Sequence, residues 1–227
     1  MLDKTNHLDT TIALIGQFSA HGGGVDHNIV QFVLAGTTWA LLLWFALYRR
    51  RKKYMVPHED LLIWGFAFGV ARETFMLSMA LLQSYGVTSS STLHIFFPPV
   101  EHALLDYCMV IVCGGYLRYL LKDRYASSIY LRAGIIAVTT CYLATFYWWS
   151  EFITANPDAK FGQTWCDWLF RINSSVFIAI AIAILFVNSS GWARNIVCIA
   201  LVFFFLHEFL KISKSISVFV GRKYIRR

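Results

Sequence analysis

The chain has 227 residues, of which 57% are hydrophobic, 17% aromatic and only 15% charged, and its mean hydropathy is +0.54. A soluble domain carries about 25% charged residues, and here the apolar residues gather into runs of about 20, the length that crosses a bilayer. That excludes a soluble enzyme, a disordered tail and a nucleic-acid-binding module, so no nucleic acid is expected as a partner. The net charge of +7 lies largely in blocks beside the apolar runs and reads as membrane-surface charge.

In chain order, Leu8, Ile12, Ile15 and Phe18 recur at three- and four-residue spacing and predict a short amphipathic helix on the outer membrane surface. The opening Asp3 and Lys4 do not suit a cleavable signal, which begins with a basic block. The segment His21-Gly22-Gly23-Gly24-Val25-Asp26-His27 then forms a hinge; two histidines and an aspartate there could hold a metal, but the composition is first that of a linker. The first unit is therefore 1–27, an amphipathic helix and hinge.

Six runs are long enough to span: 28–48, 60–83, 98–121, 127–149, 164–187 and 193–213. Together they define a transmembrane bundle over 28–213, an all-α polytopic fold in contact with the lipid bilayer, followed by a basic exit segment at 214–227. Arg49-Arg50-Arg51-Lys52-Lys53 after the first run is the strongest orientation signal, because Lys and Arg beside a span stay in the cytoplasm. Span one thus runs inward, with a bacterial inner (cytoplasmic) membrane as the expected location. The later loops alternate accordingly, but an even count puts the basic tail Arg222 to Arg227 outside, which the same rule disfavours. Either one run does not cross, or the tail is tolerated outside, or the chain is part of a longer protein. The five cysteines lie in or beside apolar runs without CxxC spacing, so no disulfide framework is expected.

Ionisable residues in a bilayer are costly and face the bundle interior. Spans one and four carry none in mid-membrane and are expected to face lipid, leaving two, three, five and six as the core. Span two holds Gly65 and Gly69, a small-xxx-small spacing for close packing, then Arg72 and Glu73. Span three is expected to start at Pro98-Pro99, since proline suits a helix start, and brings Glu101, His102 and Asp106. His102 and Asp106, four apart, are expected to pair so that the carboxylate fixes the imidazole. Span five begins with Asp167 and Arg171, an i,i+4 ion pair, and span six carries His207, Glu208 and Lys211. Depth counting at 1.5 Å per residue puts His102 about 6 Å, His207 about 9 Å and Arg171 about 10 Å below the outer surface. These groups therefore predict one polar ligand or cofactor site in the outer half. The plain structural alternative is a set of ion pairs that specify helix packing.

Three features carry a resemblance: Ala71-Arg72-Glu73, Phe96-Phe97-Pro98-Pro99-Val100-Glu101-His102, and Gly114-Gly115-Tyr116-Leu117-Arg118-Tyr119. The layout resembles the multi-span N-terminal sensor regions of bacterial membrane histidine kinases and diguanylate cyclases. The resemblance implies a sensor or receptor module, a homodimer, whose last helix passes its state to a cytoplasmic signalling output domain. No kinase or cyclase domain is present in this sequence. The alternative is a b-type haem protein with His102 and His207 as iron ligands, Arg72, Arg171 or Lys211 beside the propionates, and Glu73, Glu101, Asp106, Asp167 and Glu208 as the surrounding polar network. A small transporter or proton relay is a further alternative, although no inverted repeat is visible. An intramembrane zinc hydrolase is disfavoured because neither HxxxH nor HExxH occurs, and no catalytic residue is assigned.

Overall fold

A computed structural model describes residues 29–52, 60–84, 90–121, 124–157 and 159–225, giving the backbone alone at 29–31, 83–84, 90–94, 124, 207, 211 and 213–225. The expected N-terminal helix and the hinge at 21–27 lie outside the described residues. Six helices follow one another: α1 (Ile29–Arg51), α2 (Asp60–Ser84), α3 (Ser90–Leu121), α4 (Arg124–Ala155), α5 (Trp165–Asn188) and α6 (Trp192–Ile225). A 3-10 turn, Phe161–Gln163, leads into α5. Each helix contains a stretch of 19 to 31 residues long and apolar enough to cross a membrane, which makes this a multi-pass helical bundle suited to a lipid environment.

The hub is α3, which packs extensively on α2 and α4 and substantially on α5. Its Val110, Cys113 and Leu117 meet Tyr130 and Val138 of α4 and Ile178, Ala181 and Leu185 of α5 in one buried cluster. The two glycines of α2 work as their spacing suggests, each toward a different neighbour. A Cβ at Gly65 would stand 2.6 Å from Val112 Cγ2 and 3.1 Å from the Val112 backbone nitrogen on α3. One at Gly69 would stand 2.5 Å from the Trp39 ring on α1.

Four expectations change. Helix α4 is not merely a lipid-facing span: Tyr130, Val138, Trp149 and Ile153 are buried in the main core, while Ile136, Leu143 and Tyr147 look outward. Its lack of charge left its two faces indistinguishable by sequence. Conversely, α6 is peripheral, packing chiefly on α5 and exposing Ile196, Ile199, Phe203, Leu206 and Phe209. A single buried acid, Glu208, needs only one face of a helix. Finally, α3 begins at Ser90 and runs through Pro98 and Pro99, and the tail expected at 214–227 as a separate exit segment is helical to Ile225 as part of α6. The proline pair is held within α3 by its neighbours: Phe97 stacks on Phe75 of α2 at 5.6 Å, and Phe96 packs on Phe146 of α4 at 5.5 Å.

Candidate functional site

Helix α3 packs antiparallel to α2 and parallel to α5, and the contacts bring ionisable residues of α2, α3, α5 and α6 together. Two clusters result. In the first, Arg72 of α2 pairs through Nη1 with the neighbouring Glu73 and donates from Nη2 to Glu101 Oε1 of α3 at 2.8 Å. Glu73 is buried, and Gly36 of α1 lies against it, where a Cβ would be 3.3 Å from that of Glu73.

In the second cluster four side chains from three helices form a line. His102 Nε2 of α3 donates to Asp167 Oδ1 of α5 at 2.8 Å. Arg171 Nε donates to the other oxygen, Asp167 Oδ2, at 2.8 Å, and Arg171 Nη1 continues to Glu208 Oε2 of α6 at 3.1 Å. The i,i+4 spacing of Asp167 and Arg171 is thus realised as an ion pair. Asp167 is 1% exposed and Glu208 7%, whereas His102 and Arg171 keep 15% and 17%, so the acids are sealed and the cations face the remaining access.

His102 is held at both ends. Its Nδ1 donates to the Pro98 carbonyl at 2.9 Å. Pro98 O and the Asp167 carboxylate are both acceptors, so satisfying both nitrogens takes the doubly protonated, cationic ring. Phe161 and Phe170 pack on its faces with ring centroids at 5.1 and 5.5 Å, and Trp149 abuts Phe161 edge-on. The 3-10 turn therefore supplies one wall of the imidazole's box, a contribution that no motif in the sequence announces.

The expected pairing of His102 with Asp106 does not form. Helical side chains point back toward the helix N-terminus, which carries the imidazole to Pro98 at i−4 and away from Asp106 at i+4. Asp106, 2% exposed, instead accepts from Asn173 Nδ2 of α5 at 2.9 Å and from the Ser174 hydroxyl. Neither Asn173 nor Ser174 was a sequence candidate; both lie one turn or less beyond Arg171 on the face that meets α3, which is the only signal that could have found them.

Of the expected residues, Arg72, Glu73, Glu101, His102, Asp106, Asp167, Arg171 and Glu208 are thus assembled, in two ion-pair clusters and one neutral-donor site. The side chains of His207 and Lys211 lie outside the described ones. Ligation of a haem iron by His102 would require its Nε2 to release Asp167, its Nδ1 being turned to the Pro98 carbonyl. Below this level the packing is chiefly apolar: Val110, Cys113, Leu117, Val138, Ile178, Ala181 and Leu185 fill the space between α3, α4 and α5, and the Ser127 and Tyr130 hydroxyls donate to the Gly114 and Phe177 carbonyls.

Comparison with known proteins adds no relative: no family model, curated protein or solved structure matches the chain.

Proposed function

We propose that the chain is a membrane-embedded reception module of a bacterial signalling system, resident in the inner membrane, in which occupancy or charge at the His102–Asp167 pair is passed to α6. The observation that carries this reading is the line His102–Asp167–Arg171–Glu208, which joins the hub helix to a helix otherwise packed chiefly on α5. Each member shares its partner with the next, so a ligand or a lost proton at His102 frees Asp167, which redistributes Arg171 and loosens its hold on Glu208. A helix with two arrangements biased from a distance is the physical content of such a switch. The apolar packing below the network supports reception over transport, since a relay that conducts needs polar groups in both halves.

With Arg49 to Lys53 in the cytoplasm, the cytoplasmic end of α6 is its start at Trp192, where a signalling partner or output domain would read its movement. The test is a double-mutant cycle between His102→Gln and Glu208→Gln, two residues without direct contact, read by hydrogen exchange across residues 196–210 in nanodiscs. The expected result is that each change speeds exchange in α6 and that the double variant equals either single one, a coupling of about 0.5–3 kcal/mol. Additive effects, or no effect of His102→Gln on α6, would sink the reading.

A further inference from the structure

Among the intramembrane acids whose side chains are described, Asp106 differs from the rest in its partners. Glu73 and Glu101 pair with Arg72, and Asp167 and Glu208 pair with Arg171. Asp106 has only neutral hydrogen-bond donors, the amide of Asn173 and the hydroxyl of Ser174, and is 2% exposed. An ionised carboxylate in a membrane interior without a counter-charge is costly, and such residues mark ion or proton sites.

We propose that Asp106, Asn173 and Ser174 form a binding site for a small monovalent cation, a sodium ion or a proton, between α3 and α5. The donor set suits a hard cation, which takes carboxylate, amide-carbonyl and hydroxyl oxygens. Half a turn of the Asn173 amide puts Oδ1 where Nδ2 now donates, and the Ser174 hydroxyl accepts as readily as it donates. Ser175 Oγ, on the next residue of α5, is buried and has no hydrogen-bond partner among the described residues. A proton would occupy the same place by binding Asp106 itself, with the two neighbours reoriented around a neutral acid. The ionisable groups that act on Asp106 are His102 on its own helix, Glu208 from α6 and Cys141 from α4. Helix α5 adds Asp167 and Arg171, already paired with each other, and α2 brings Arg72 and Glu73, of which Arg72 pairs with both Glu73 and Glu101. This site goes beyond the reception reading and does not depend on it.

The experiment is thermal unfolding of the full chain in nanodiscs, with sodium chloride exchanged for choline chloride at constant ionic strength, at pH 6 and pH 8. A sodium site gives a saturable rise in Tm with sodium at pH 8, about 5–10 °C at roughly a hundred times the Kd. A proton site gives a Tm that rises as pH falls, with no dependence on sodium. In either case Asp106→Asn abolishes the response and Ser174→Ala weakens it severalfold, and the second variant keeps the test open if the first does not fold. Responses to sodium and pH that are absent, or that persist undiminished in both variants, overturn the proposal.

Discussion

His102 and Asp167 stand 65 residues apart in the chain, yet Nε2 of the one lies 2.8 Å from Oδ1 of the other across the α3–α5 contact. Because the same carboxylate also takes Arg171, one residue holds two cations in place.

Replacing Asp167 by Asn should therefore be among the most damaging single changes in the bundle. It leaves both His102 and Arg171 facing a neutral amide in a site where the carboxylate was 1% exposed. Removing one partner of a buried ion pair costs about 3–5 kcal/mol. Reversible unfolding in mixed micelles measures it, and a loss below about 1 kcal/mol would mean that the pair is solvated as surface pairs are.

The helix contacts of α2 give a second, independent prediction. Gly65→Ala drives a methyl against Val112, including its backbone, and should cost about 1–3 kcal/mol through overpacking. Gly162→Ala is the matched control, since nothing lies within 4 Å of the added carbon, and should fall within about 0.5 kcal/mol of the parent. Equal effects at the two positions would show that α2 and α3 are not in close contact at Gly65.

Haem gives a yes-or-no measurement. With both ring nitrogens of His102 committed, the purified protein, made with adequate haem supply, is expected to show no Soret band in its absorption spectrum, oxidised or reduced. A Soret band present in the parent and lost in His102→Ala would reverse that expectation and make the ion-pair line a haem environment.

Orientation is testable with topology reporters. Six crossing helices place a reporter in the 52–59 connection and one after Ile225 on opposite faces, the first in the cytoplasm. Two cytoplasmic reporters would show that one of the helices does not cross.

The helices were legible because a bilayer demands long uninterrupted apolar runs. The ionisable residues were legible for the same reason, since a charge in such a run has few explanations. Their partners were not. Asp106 was expected on His102 from spacing along one helix, but the imidazole leans toward Pro98 and the carboxylate looks across to Asn173 and Ser174. Nothing in a single sequence states which faces of two helices meet. The burial of α4 and the outward position of α6 escaped for a related reason: lipid and protein interior are equally apolar, so hydropathy cannot separate them.

The ion-pair line runs across the bundle rather than through it, from His102 on α3 through Asp167 and Arg171 on α5 to Glu208 on α6, with a chiefly apolar layer beneath. Charges that shift along such a line move parallel to the membrane plane. Work against a transmembrane potential is about 2.3 kcal/mol per elementary charge per 100 mV only for movement across the full thickness, and a lateral shift does almost none of it. If the proposed reception switch is built on this line, its set point is expected to stay the same whether the cell is energised or depolarised.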